Sequence, residues 1–331
     1  MITLEDIQTA RQRLAGVAFR TPLIPFFPSP LAKPRKGGER NVYFKAENFQ
    51  VTGSFKLRGA YNKIASLTSE ERAPGVITYS SGNHAQGVSY AARALGARSV
   101  VVMPRVSGKL KIDCTAALGS EIVFVGSSSV ERRQKAEELA AQFGYTIIPP
   151  YDDEKIIAGQ ATIGAEILED LRDADLVLVP VGGGGLISGI AAAIKLSGSR
   201  AKVIGVEPEL ANDAQQSFRS GQIVQIATER ATSTIADGLR TQSIGKLTFQ
   251  YIQKYVDDIV TVREDDIRTA MQILICQAHI IAEPSGAVPF AAWLLHEDKL
   301  PQARKTVVVV SGGNAEPHLL SQIIYPEGTR E

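Results

Sequence analysis

A lysine at the start of an expected helix is the first residue in this chain whose placement suits covalent chemistry. The segment Ser54-Phe55-Lys56-Leu57-Arg58-Gly59-Ala60 puts Lys56 just inside a helix amino terminus, where the positive end of the helix dipole disfavours an ammonium. A neutral amine is what attack on a carbonyl requires. Taken alone, the heptapeptide reads more readily as a surface lysine at a helix start, since the chain holds 36 Lys and Arg residues. Gly182-Gly183-Gly184-Gly185 follows an apolar run and precedes Leu186-Ile187-Ser188-Gly189-Ile190. Backbone amides at such a strand-to-helix junction converge on a phosphate, with the helix dipole behind them. The spacing is neither that of a dinucleotide fingerprint nor that of a P-loop, and a merely flexible turn is the alternative.

Three further loops occupy similar places. Ser80-Ser81-Gly82-Asn83-His84 follows one expected strand and offers hydroxyls, an amide and backbone donors to a carboxylate, although a polar loop capping a helix is the commoner use of such residues. His84 reads as structural rather than catalytic. Ser311-Gly312-Gly313-Asn314 puts a hydroxyl at the carboxyl end of another strand, where open α/β sheets bind ligands. Glu207, the Ala211 carbonyl and Asp213 lie in one post-strand loop and could present oxygen ligands to a hard cation, or simply be solvated acids.

Positioning these loops requires strands that end together. Apolar, β-branched runs at 43–45, 75–79, 99–103, 121–125, 176–180, 203–207 and 306–310 alternate with segments of helical spacing, the pattern of α/β units on largely parallel sheets. Helices are expected to begin near Ser54, Asn83, Gly108, Val130, Ile156, Leu186, Glu264 and Ala287. Residues 28–40, rich in Pro, Gly and charge, read as an exposed loop. The stretch 72–149 is expected to form a smaller domain inserted into a larger one made of 1–71 and 150–331.

Composition narrows the partners. The 331 residues carry 36 basic and 35 acidic side chains with no dense basic run, which argues against nucleic acid or an anionic membrane. No apolar run approaches the roughly 20 residues of a membrane helix. The amino terminus lacks a basic region followed by an apolar stretch, so no secretion signal is expected. Two cysteines, Cys114 and Cys276, suggest neither a disulfide nor zinc, and a reducing cytoplasm is the default compartment.

The ordered set of loops, together with Thr21-Pro22-Leu23, Ala158-Gly159-Gln160, Ile235-Ala236-Asp237-Gly238 and Glu283-Pro284-Ser285-Gly286, resembles the fold-type II pyridoxal 5′-phosphate enzymes of the serine/threonine dehydratase and serine racemase family. The resemblance spans nearly the whole chain. It implies a tryptophan synthase β-like fold of two doubly wound domains, Lys56 as the Schiff-base lysine and α-carbon base, and Phe55 flanking the pyridine ring. It also implies Asn83 on the ring hydroxyl, Gly182, Gly183, Gly184 and Gly185 on the phosphate, Ser311 facing the pyridine nitrogen, and Glu283 in the cofactor site. Ser80, Ser81, Gly82, Asn83, His84 and Arg132 would meet the substrate. Dehydratases of the family usually carry alanine where this chain has Ser81, whereas racemases carry a serine that acts as the base on the opposite face.

Glu207, Ala211 and Asp213 match the family's Mg²⁺ or Ca²⁺ site, and Arg132 matches an arginine that can meet a second substrate carboxylate. The implied activity is racemisation of serine with elimination from serine and threonine. Alternatives are dehydration of L-threo-3-hydroxyaspartate and, in another class, β-replacement as in cysteine synthases. A homodimer is implied as well. Two departures stand out. The loop 33–40 is longer than usual, and Ala315-Glu316-Pro317 replaces the common residues after the last glycine motif, so nucleotide activation is not carried over. The short stretch after Asn314 leaves no expectation of a carboxyl-terminal regulatory domain or of isoleucine feedback.

Overall fold

A computed structural model describes residues 1–27, 41–80, 82–126 and 129–325. The described strands in chain order are β1 (Leu23–Phe26), β2 (Asn41–Ala46), β3 (Val76–Tyr79), β4 (Ser99–Pro104), β5 (Glu121–Val125), β6 (Thr146–Ile147), β7 (Leu176–Pro180), β8 (Lys202–Pro208), β9 (Asp258–Val262) and β10 (Lys305–Val310). They form two sheets, ordered β1-β2-β10-β7-β8-β9 and β5-β4-β3-β6. Apart from the antiparallel β1–β2 pair, neighbours run parallel, as expected when helices cover both faces.

Period-two alternation explains the large sheet. Val307 and Val309 point into a core shared with helices Leu4–Leu14, Glu154–Asp170 and Gly185–Leu196, while Val308 and Val310 point into the opposite core with helices Glu264–Cys276 and Pro284–Leu295. Each such aliphatic side chain, fully buried, contributes about 1.5–3 kcal/mol. The smaller sheet is built alike. Val101 and Met103 pack with Ala85 and Ile112 on one face, and Val100 and Val102 pack with Ala136 on the other.

The helix Lys56–Ala65 links the two sheets, because its Ala60 and Ile64 share a cluster with Val76, Val88 and Ile156. No helix among the described residues is long and apolar enough to cross a membrane.

Candidate active site

The site is assembled where strand ends meet. The Phe55 amide donates to the Ser311 carbonyl at 3.1 Å, the Gly313 amide to the Gly53 carbonyl at 2.9 Å, and the Glu283 amide to the Gly312 carbonyl at 3.0 Å. Three chain segments are thereby fixed around the turn that follows β10. A cavity of about 330 Å³ opens there, lined by Phe55, Lys56, Ser80, Gly82, Asn83, His84, Arg132, Gly182, Gly183, Gly184, Gly185, Glu283 and Ser311. Among the described residues, every site residue proposed from the sequence outside the cation loop thus reaches one cavity.

Lys56 is the first residue of its helix, and its Nζ donates to the Pro150 carbonyl at 2.7 Å. Burial lowers its pKa to about 8; loss of water, rather than the helix dipole anticipated from the sequence, is the physical cause. His84 beside it is also buried and accepts no proton in the neutral range, its pKa lowered to about 3 by burial and by the nearby Lys56 charge. Its Nε2 lies 3.1 Å from the Ile148 carbonyl, which assigns the ring proton to that nitrogen.

Close packing sets the backbone of Lys56. A Cβ on Gly159 would lie 2.6 Å from the Arg58 carbonyl oxygen, and one on Gly87 would lie 3.0 Å from the Lys56 carbonyl carbon. Beneath, the buried Arg58 guanidinium pairs with Glu166 at 2.6 Å and Glu47 at 2.8 Å, and Lys45 pairs with Glu166 at 2.6 Å. At the glycine loop, Gly184 has φ +90°, and a Cβ on Gly183 would fall 2.2 Å from the Tyr151 ring. The first-turn amides of helix Gly185–Leu196 have no partner within the helix, which suits an anion.

Residues 16–312 match the family model described as pyridoxal-phosphate dependent enzyme. The chain belongs to that family. It is 45% identical over 325 residues to the catabolic L-threonine dehydratase of Escherichia coli strain K12, covering 97% of this chain and 96% of that one. The L-threo-3-hydroxyaspartate ammonia-lyase of Saccharomyces cerevisiae is 41% identical over 314 residues, covering 95% and 94%. The solved structure of maize serine racemase superposes with a TM-score of 0.89 at 33% identity, covering 98% of this chain and 97% of that one. The protein is therefore an enzyme of the pyridoxal-phosphate dependent ammonia-lyase and racemase type, with a fold-type II architecture.

The residues present fit the family's cofactor: an amine whose proton affinity is lowered by burial, helix-start amides for an anionic tail, and the hydroxyl of Ser311 line one cavity. Ser81 lies outside the described residues. Glu207, Ala211 and Asp213 stand apart from this cavity. Glu207 is buried and accepts from the amides of Ala214 at 3.0 Å and Gln215 at 2.7 Å. Asp213 is buried too; Thr241 Oγ1 donates to its Oδ1 at 3.3 Å, and its Oδ2 has no hydrogen-bond partner. Burial first, and then the charge of Asp213, raise Glu207 well above the usual range, while burial raises Asp213 to about 7. Among the described residues no three His, Cys, Asp or Glu side chains gather to hold a metal; the pair offers two carboxylates.

The sequence reading passed over Lys111 and Tyr151 and gave no role to Asp237 within its Ile235-Ala236-Asp237-Gly238 motif; all three line the same cavity. Pro149-Pro150-Tyr151-Asp152-Asp153 looks like a plain turn, yet each of its last four residues holds part of the site. Besides the contacts of Pro150 and Tyr151, Asp152 Oδ1 accepts from the Leu247 amide at 2.9 Å and Asp153 Oδ1 from the Lys155 amide at 2.8 Å. Asp153 before the helix Glu154–Asp170 was the available signal, whereas Asp152 meets a helix start some 95 residues along the chain, which no local pattern announces.

Proposed function

We propose that this enzyme eliminates water from serine and threonine and lets water hydrolyse the resulting aminoacrylate or aminocrotonate, so that the net products are pyruvate or 2-oxobutanoate plus ammonia, and that it inverts serine at its α-carbon. The observation that carries the reading is that Lys56, Asn83 and the four glycines line one cavity. The bound cofactor supplies an electron sink that makes the substrate α-proton acidic. Lys56 then serves as the base at that proton, its amine held near the Pro150 carbonyl and neutral at a pH above about 8. Gly182 to Gly185 would hold the anionic tail with backbone amides, Asn83 would donate to the ring hydroxyl, and Ser311 would be the residue toward the ring nitrogen. A hydroxyl there cannot hold that nitrogen protonated as a carboxylate would, which favours loss of the β-hydroxyl over full delocalisation of charge.

The Ser80 hydroxyl and the backbone amides of Gly82, Asn83 and His84 would receive the substrate carboxylate, the neutral His84 ring being committed to the Ile148 carbonyl. Inversion needs a second base on the opposite face, a part given to Ser81 on the family resemblance. Ser81→Ala should abolish racemisation of serine while elimination from at least one enantiomer persists; racemisation undiminished in that variant defeats the two-base assignment. A panel of serine, threonine and 3-hydroxyaspartate, followed for ammonia and for the chirality of the residual amino acid together, tests the reaction as a whole.

A second reading is dehydration of L-threo-3-hydroxyaspartate, favoured by Arg132 on the wall of the same cavity. A guanidinium forks onto a second carboxylate. Glu207, the Ala211 carbonyl and Asp213 are assigned to Mg²⁺ or Ca²⁺, an oxygen-ligand site supported by two buried carboxylates raised in proton affinity.

A further inference from the structure

The cavity wall contains a charged cluster that the proposed chemistry leaves without a task. Lys111, on helix Lys109–Ala117, is buried and reaches over the substrate loop, so that a Cβ on Gly82 would fall 2.7 Å from its Cδ. Its ammonium bonds the Asp237 carboxylate and lies 3.7 Å from Glu283, which is buried at the start of helix Pro284–Leu295. Glu283 Oε1 accepts from Asn83 Nδ2 at 2.5 Å, Asn83 Oδ1 accepts from Asn314 Nδ2 at 2.9 Å, and Asn314 Nδ2 also donates to the Thr52 carbonyl at 2.9 Å.

The direction of this chain is forced. A backbone carbonyl only accepts, so Asn314 must present its amide nitrogen to Thr52 and, with it, to the oxygen of Asn83. Asn83 is left to donate to Glu283 Oε1, which must therefore be an acceptor: a proton on Oε1 would set donor against donor, and a proton on Oε2 would face the Lys111 ammonium 3.7 Å away. We propose that Lys111 is a positioning residue whose ammonium keeps Glu283 an acceptor and so holds the Asn83 amide in one orientation at the cofactor site.

The electrostatics oppose each other around that point. Burial raises Glu283 to about 7, Lys111 pulls it down and Asp237 pushes it up. Burial alone would lower Lys111, but Glu283 and Asp237, with Glu316 beyond them, raise it above the ordinary value and keep it charged. Lys111 lies in the stretch 72–149, whereas Asp237 and Glu283 lie beyond it, so the cation that sets Asn83 arrives from the smaller sheet's side of the cavity. The importance of Asn83 rests on the function proposed above; the response of Glu283 to Lys111 does not.

The test is an infrared titration of the Glu283 carboxyl in the holoenzyme, its band identified with Glu283→Gln, beside the pH profile of kcat/KM. Lys111→Met should move the titration upward by at least about one pH unit, a tenfold gain in proton affinity. Asp237→Asn should move it downward, and Lys111→Arg should leave it near the wild-type position. Kinetic pH profiles should follow in the same directions. A titration that stays in place in both neutralised variants, or shifts the same way in both, overturns the proposal. Should Lys111→Met fail to fold, an Asp237→Asn titration that does not fall is sufficient to overturn it. Absence of cofactor on Lys56 would instead sink the proposed function while leaving the carboxyl response intact.

Discussion

Lys56 and Arg58 sit two positions apart and do opposite work: one amine is made reactive by losing water, while the other cation is locked by partners. Because burial brings Lys56 to about 8, its neutral fraction grows about tenfold per pH unit below that value and levels off above it. The rate at which cofactor-free protein takes up pyridoxal phosphate at Lys56, followed by absorbance, should show that dependence; a flat rate from about pH 6 to pH 9 would contradict it. Arg58 holds Glu47 and Glu166 in a site where all three are buried. Arg58→Met strands those carboxylates with Lys45 alone and should cost about 3–5 kcal/mol in urea unfolding, since an unpaired buried charge is expensive. Lys56 stood out in the sequence through the ordered set of loops around it, since its heptapeptide alone reads as a surface helix start. Lys111 did not, since Lys109-Leu110-Lys111-Ile112-Asp113 has the look of an ordinary amphipathic turn and only tertiary packing buries it.

Helices and strands explain why these side chains are held where they are. The Lys56–Ala65 and Glu154–Asp170 helices touch through Gly159, whose hydrogen faces the Arg58 carbonyl. Gly159→Ala should force the helices apart, lower stability by about 1–3 kcal/mol, and reduce kcat more than cofactor content; unchanged melting and kcat would refute that account. Strand alternation located seven of the strands from sequence, and β5 and β7 have the expected limits. β1 escaped because Pro25 lies inside it, and a proline belongs on an edge strand, which is where β1 sits. β6 is two residues long and β9 opens on an acid, so neither leaves a strong pattern. Helix Asp213–Ser220 was hidden likewise: its apolar content is low, and its amino terminus is stabilised by Glu207 from across the preceding turn.

For the molecule as a whole, the two carboxylates Glu207 and Asp213 tie stability to pH. Their folded proton affinities are raised, Asp213 from 3.8 to about 7, so the folded state binds more protons than the unfolded chain and stability falls as pH rises through that window. If the proposed cation binds these carboxylates, Mg²⁺ or Ca²⁺ would compete with their protons, so the gain in Tm on adding either ion should be larger at about pH 8 than at about pH 6; equal gains would remove the cation from this loop. The family was readable from the ordered loops and the parallel architecture from alternating strand and helix runs, whereas a choice among serine, threonine and hydroxyaspartate turns on single side chains that no local pattern marks. Arg132→Ala should impair turnover of hydroxyaspartate more than that of serine, and equal losses would exclude it from substrate choice. All of these expectations converge on one amine. Borohydride reduction of the cofactor-loaded enzyme followed by peptide mapping should place the label on Lys56 alone; a label on any other lysine, or none, would contradict the account.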